Sequence, residues 1–297
     1  MKILHPFFLL LIFGLHMACT SPQDGPLTDY PNSHLLLDAE ELSLLLENET
    51  VLLIDARNEL PDTLIPGAIH FAAVSELIDE DHPVEFYLIG PDVFQEKMRN
   101  IGLNSDSRVV IYDEGNSLAS ARLFYALDYY GFSNTSILNG GIQGWLAEGL
   151  PITDTAAQPS TGTFTFEVDE TKACDITFIM AAADDPNKII FDARSAGEYT
   201  GEDVRAERAG HIPNSVNLEW SRVLQQDGIP YFLPAQEIQD KFNSLGITPD
   251  KEVISHCHTN VRGSHAYFTL RLMGYDSVRT YEGSWAEYGN QPNAIIQ

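Results

Sequence analysis

Cysteine is scarce in this chain of 297 residues: there are 3, at positions 19, 174 and 257. That excludes a disulfide-rich scaffold and leaves each thiol to be read singly. Basic residues are few as well, 17 against 43 acidic ones, for a formal net charge of −26. Nucleic acid and anionic membrane surfaces are excluded as partners, since both require basic patches. The excess acid reads as a solvated surface that keeps the protein soluble. An anionic substrate would then need a local positive field, so the few arginines gain weight. The apolar run Ile3 to Leu15 is too short for a comfortable membrane span. What is there is ordinary globular material, 44% apolar and 20% charged, long enough for two full cores.

The N-terminus reads as an address rather than as fold. Met1-Lys2, the apolar run and the small Ala18 make a secretory signal over residues 1–18. Cys19 directly after Ala18 suggests a bacterial lipoprotein signal, with a lipid on Cys19 as the sole membrane contact. His16 departs from that pattern, which prefers Leu there; Leu15 lies one residue further back. Residues 19–34, rich in Pro, Ser, Gly and Asp, would be a tether. The expected location is the periplasm or cell envelope.

The run from Val253 to Tyr275 carries the most chemistry. A β-rich stretch ends at Cys257, Arg262 follows five residues later, and a helical pattern begins with Ala266, Phe268, Leu270 and Leu272. Loop and first-turn N–H groups, with the helix dipole, favour negative charge at such a place. They would favour the thiolate, the reactive form of the cysteine. Arg262 adds a fixed cation able to hold an anion beside the sulfur. The bland alternative is a buried structural cysteine in a parallel sheet.

A repeat weighs against the bland reading. The stretch from Pro91 aligns with that from Pro234, so that Gly102 falls on Gly246, Val109 on Val253 and Asp113 on Cys257. Tyr130-Gly131-Phe132 matches Met273-Gly274-Tyr275, and Asp55-Ala56-Arg57 matches Asp192-Ala193-Arg194. The chain thus holds two copies of one unit of roughly 120 residues. Only the second has a cysteine at the loop; the first has Asp113 there, and Leu118 and Ala119 where an arginine would stand. The boundaries are set at 35–152 for the first copy, inactive, at 153–165 for a linker, and at 166–297 for the second, catalytic copy.

Periodicity places the elements. Asp38 caps a helix running to Glu47 with Leu42, Leu45 and Leu46 inward; Val51 to Ile54 is a fully apolar strand. Pro91 to Ile101 is a helix, Arg108 to Tyr112 a central strand, Ala121 to Tyr130 a helix and Thr135 to Leu138 a strand. The second copy repeats this order. The fold class is α/β: two tandem domains, each a parallel sheet with helices on both faces, and with sites at the carboxyl ends of the strands.

These residues carry a family resemblance. The chain resembles the tandem-domain rhodaneses, the thiosulfate and 3-mercaptopyruvate sulfurtransferases, over about residues 35 to 290. In the second copy the matching features are Asp192-Ala193-Arg194-Ser195, Glu198-Tyr199-Gly201, Ala209 to Pro213, the Cys257 loop, and Tyr281 to Trp285. In the first they are Asp55 to Arg57, Pro66-Gly67-Ala68, Val109 to Asp113, and Asn139-Gly140-Gly141 before Trp145. The resemblance implies a monomeric sulfurtransferase without cofactor. Thiolate Cys257 would take the outer sulfur of thiosulfate, hold it as a persulfide and pass it to a thiophilic acceptor such as cyanide or a thiol. His258, Thr259, Asn260, Val261 and Arg262 would wrap that sulfur, and Arg194 would line the substrate, its bland role being an ion pair with Glu198 or another acid. Arg205 and Arg208 are weaker candidates on a variable loop. Asn260 stands where family loops commonly have Gly, and Asn is the residue best able to replace it at positive φ. An arginine-ended loop, in place of Gly-Ser-Gly-Val-Thr, tilts the substrate towards thiosulfate over 3-mercaptopyruvate.

Other readings of the same residues are weaker. His256, His258 and His265 with a thiolate are zinc-type ligands, but the two that flank the turn should point apart, so no metal is expected. His258 could serve as a general base. Cys174 reads as a thiol without a role. Cysteine phosphatases have five residues between Cys and Arg where this chain has four. A carrier or sensor of sulfur without turnover is a third class.

Overall fold

The computed structural model describes residues 27–297; the signal reading and Cys19 lie outside the described residues. In the first copy the elements are β1 (Leu36–Leu37), α1 (Ala39–Asn48), β2 (Leu52–Asp55), β3 (Ile69–His70), α2 (Ala73–Glu76), α3 (Pro91–Asn100), β4 (Val109–Tyr112), α4 (Leu118–Tyr129), β5 (Thr135–Leu138) and α5 (Gly141–Ala147). The second has β6 (Ala173–Cys174), α6 (Ile176–Ala182), β7 (Lys188–Asp192), α7 (Ala196–Thr200), β8 (Val216–Asn217), α8 (Ala235–Ser244), β9 (Glu252–His256), α9 (Val261–Leu272), β10 (Val278–Tyr281) and α10 (Ser284–Tyr288). Each copy forms a five-stranded sheet, ordered β1-β5-β4-β2-β3 and β6-β10-β9-β7-β8. All pairings within the two sheets are parallel. Both sheets follow one plan, as the repeat requires.

The sequence explains the elements. Asp38 caps α1 in a capping box with Glu41, and Leu42 and Leu45 face inward. In β4 every side chain is buried, the mark of a strand covered on both faces. The central strands β4 and β9 lead into α4 and α9, and both of those helices are buried nearly all round. They pack against each other across the two copies, with Phe124 edge-on to Phe268 at 4.9 Å and Tyr125 edge-on to Tyr267 at 5.4 Å. One hydrophobic core therefore runs through both copies, with a smaller cluster on the far side of each sheet.

Two stretches expected as loose are held down. Along residues 153–165, Thr153 pairs with Leu64, and the N–H groups of Ala157, Gly162 and Phe164 donate to Ala68, Arg99 and Leu103 of the first copy. Within the expected tether, Leu27 N–H donates to Gln236, Tyr30 Oη to the Leu233 carbonyl at 2.7 Å, and Asn32 N–H to Leu272. The part of the tether from Leu27 onwards is thus docked on the second copy. Leu27 and Tyr30 are the apolar groups that make this possible.

Candidate functional site

Cys257 follows the last residue of β9, at the carboxyl edge of the second sheet, and is fully buried. Its N–H donates to Ser284 Oγ at 3.3 Å, and its carbonyl and that of His258 accept from Trp285 and Ala286 at the start of α10. Asn260 ends the turn in the left-handed conformation, φ 57°, and α9 starts at the next residue. That is the backbone expected of it in place of Gly. The main-chain N–H groups of His258 through Arg262 find no acceptor among the described residues. They form a nest of donors at a helix N-terminus, a place suited to an anion.

The first copy has the same nest, already filled. Asp113 takes the place of Cys257, and Ser117, φ 61°, takes that of Asn260, one residue further on. The Asp113 carboxylate accepts from the N–H groups of Gly115, Ser117 and Ser120 at 2.9–3.1 Å. Burial pushes this carboxyl above its ordinary range in spite of those three donors.

Arg262 reaches the mouth of the second nest, but not as a free cation. It grips Glu198 with both terminal nitrogens, Nη1 to Oε2 at 2.5 Å and Nη2 to Oε1 at 2.9 Å. Burial works against its charge, yet Glu198 and the nearby Cys257 sulfur more than compensate and hold it cationic. Burial likewise pushes the Glu198 carboxyl up, but the Arg262 hydrogen bonds and charge outweigh this and lower it to about 2. Glu198 is held in turn by a capping box with Ser195 at the start of α7. The sequence reading offered Glu198 as a partner for Arg194. Its place one helical turn past the Asp-Ala-Arg-Ser motif was the available signal.

Arg194 calls for a correction. It does not line an open substrate site: it is buried, with Nε and Nη2 on the Asp192 carboxylate at 2.6–3.0 Å and Nη2 also on the Gly210 carbonyl. Its guanidinium lies over Trp285 at 4.3 Å. Arg57 of the first copy grips Asp55 in the same way, with Nη2 on the Thr63 carbonyl. A pairing that persists in the copy without a cysteine belongs to the architecture. Arg208 is also structural, tying four carbonyls between Tyr288 and Ala294. Arg205 is largely exposed and touches Glu198 at 3.3 Å.

The three histidines face different neighbours. His256 Nδ1 lies 3.2 Å from the Cys257 carbonyl, and Nε2 is 3.6 Å from Asp192; burial first, against the pull of Asp192, keeps its pKa low. His258 Nε2 meets Glu85 of the first copy at 3.0 Å, and burial, then Arg205, lower its pKa. His265 is enclosed by Trp220 and Phe232, and burial lowers it to about 3. Thr259 and Val261 are half-buried, and Val261 lines a cleft of about 600 Å³ with Asp113 and Leu118 of the first copy. Cys174 is a free thiol at the end of β6, and burial pushes its pKa up.

The sequence reading missed the contribution of the first copy. Arg122 on α4 forms a buried pair with Glu282, which also accepts from Asn260 Nδ2 at 2.6 Å. Nothing in the local sequence of the second copy points to Arg122, because the contact crosses between copies.

Comparison with known proteins agrees with this architecture. The rhodanese-like domain family matches twice, over residues 38–148 and 178–291. The sulfur carrier protein TtuD of Thermus thermophilus is 32% identical over 92% of this chain and 96% of its own. The thiosulfate sulfurtransferase of Azotobacter vinelandii is 32% identical over 66% of this chain and 72% of its own. For the 3-mercaptopyruvate sulfurtransferase of Escherichia coli K12 the values are 28%, 78% and 83%. A crystal structure of a 3-mercaptopyruvate sulfurtransferase from Escherichia coli superposes with a TM-score of 0.75 at 26% identity, covering 84% of this chain and 98% of that one. With two sheets of one plan, a cysteine loop in the second and both copies matched, the chain belongs to the rhodanese-like sulfurtransferase family, as a tandem-domain member.

Proposed function

We propose that this protein moves sulfane sulfur from thiosulfate to a thiophilic acceptor through a persulfide on Cys257. The supporting observation is the nest of N–H groups around Cys257, to which the chain itself offers no acceptor among the described residues, set against the nest of the first copy, which a carboxylate of the chain caps. A persulfide anion is a charge that such a nest holds well. The Cys257 thiolate forms a bond to the outer sulfur of thiosulfate. The sulfur–sulfur bond of thiosulfate breaks, and its electron pair leaves on sulfite. The acceptor, cyanide or a thiolate, then bonds to the outer sulfur and returns the electron pair to Cys257. Arg262 steadies the sulfonate with N–H donors shared with Glu198.

Intact mass after thiosulfate treatment should rise by one sulfur in the wild type and not in Cys257→Ser. Rates with thiosulfate should exceed those with 3-mercaptopyruvate; the reverse order would overturn the choice of donor. A second reading, a carrier that holds sulfur for a partner, draws on the full burial of Cys257 and the likeness to TtuD. A single equivalent loaded without turnover on cyanide or small thiols would favour it. Export and lipidation at Cys19 are proposed from the sequence alone. Loss of membrane association in Cys19→Ala would support them, and unchanged partitioning would refute them.

A further inference from the structure

We propose that Arg122, carried by the copy without a cysteine, sets the position and the electrostatic field of the Cys257 loop through Glu282 and Asn260. The proposal rests on the sulfurtransferase reading for its meaning but not for its test. Arg122 is on α4, and its side chain is 2% exposed; that of Glu282, just past β10, is 5% exposed. Nη2 meets Oε1 at 2.6 Å and Nη1 meets Oε2 at 3.2 Å. Glu282 Oε2 accepts from Asn260 Nδ2 at 2.6 Å, so the residue that turns the catalytic loop into α9 is gripped from the side. Oε1 accepts from Leu88 N–H at 3.0 Å, and Arg122 Nη2 donates to the Phe86 carbonyl at 3.1 Å. Between those two contacts and the loop, Glu85 reaches His258. The pair is therefore a hub that joins the 85–88 segment of the first copy to the Cys257 loop of the second.

The repeat supplies an internal control. Arg122 lies five residues past left-handed Ser117, and His265 lies five past left-handed Asn260. Glu282 is the first residue after β10, and Asn139 the first after β5. Asn139 Oδ1 accepts from Phe232 N–H at 3.0 Å, mirroring the bond from Leu88 to Glu282. At the mirrored place, then, a neutral amide and an imidazole stacked on Phe232 do the packing between copies. The same join can be made without charge. The charged version occurs on the side where it touches the cysteine loop. Burial disfavours the Arg122 cation, and Glu282 restores it, with smaller help from Tyr125 and from the charge of the Cys257 thiolate. Arg122 is a positioning residue, since it acts on the sulfur through other groups.

The test reads the field at Cys257 without any sulfur transfer. Alkylation rates of Cys257 are measured in the full chain with iodoacetamide, which is neutral, and iodoacetate, which is anionic, by peptide mass spectrometry. Their ratio cancels the thiolate fraction and, for reagents of similar size, access to the loop. Arg122→Met leaves Glu282 without its cation and should lower the anionic-to-neutral ratio about fivefold or more. Glu282→Gln leaves the cation without its anion and should raise it, while kcat with thiosulfate falls because Asn260 has lost a charged acceptor. The double variant should return the ratio to within about twofold of wild type. Opposite movements of this kind do not arise from general damage. If Arg122→Met does not fold, Arg122→Lys should keep the ratio and lose kcat, and Glu282→Gln still tests the field. A ratio unmoved in Arg122→Met and Glu282→Gln, with a loss of Tm alone, would make the pair a strut between copies and overturn the proposal. A ratio that moves as stated in a protein that never takes up sulfur would sink the proposed function and leave this coupling standing.

Discussion

The two copies share a sheet order, a strand-to-helix turn, an Asp-Ala-Arg pair and a nest of N–H donors, and they differ in what fills the nest. In the first, a carboxylate of the chain itself satisfies three donors. In the second, the place goes to a thiol, and the chain offers those donors no acceptor among the described residues. What the copies have in common is architecture, and what they do not share is where function should be sought.

The sharpest break of that comparison is Cys257→Ser. A hydroxyl has the right shape but forms no stable persulfide, so sulfur loading should vanish and turnover fall below about one hundredth of wild type, with Tm retained. Arg194→Ala and Arg57→Ala should behave alike, which no substrate role for Arg194 would allow. Each leaves a buried aspartate unpaired, at about 3–5 kcal/mol, read as a fall in Tm, and less for Arg57, the more exposed of the two. A drop in kcat/KM with unchanged Tm in Arg194→Ala would restore it to the substrate site.

Arg262→Ala tests the cation that the first copy lacks. Loss of a charge-assisted pair of about 2–4 kcal/mol should lower kcat/KM for thiosulfate about 30- to 1000-fold. Reaction of Cys257 with a neutral alkylating agent should change far less. Equal loss of both would make Arg262 a prop for the loop. Asp113→Asn should cost about 1–3 kcal/mol in denaturant unfolding: the amide oxygen can still accept from Gly115 and Ser117, but the amide nitrogen is a donor and leaves the Ser120 N–H without an acceptor. Asp113→Cys should load no second sulfur: its loop is one residue longer and has no arginine.

The smallest effect is in acid. The carboxyl of Glu198 is lowered in the fold from the ordinary 4.5 to about 2. Its pair with Arg262 therefore adds stability in full above about 4.5, and that contribution is lost as pH falls from 4.5 towards 2. In Glu198→Gln this part of the acid dependence should be missing. An unchanged acid limb would mean that the pair adds nothing to the fold.

Much of this was legible because β4 is apolar throughout and β9 has Val253 and Ile254 at its centre, and because duplication marks the same turn twice. Cys257, the left-handed Asn260 and α9 follow from local pattern. The roles of the arginines were not legible. A guanidinium on a flexible stem goes to whichever acid the fold brings near, and proximity in sequence did not tell Asp192 from Glu198. The recurrence of Asp-Ala-Arg in a copy without a cysteine was the clue that Arg194 is structural. Arg122 was out of reach, because its partner lies in the other copy. The docking of Leu27 and Tyr30 was masked by the Pro- and Ser-rich residues before them.

The shared core of α4 and α9 has a consequence for how the molecule melts. Neither helix has a solvent face to fall back on, so neither copy can open without stripping apolar surface from the other. Thermal unfolding should follow a single cooperative transition, with amide exchange in α4 and α9 among the slowest and of similar rate. The second copy expressed alone would present α9 bare and should aggregate. By this logic the copy without the cysteine cannot be discarded, because it is half of the solvent-free interior on which the other one rests.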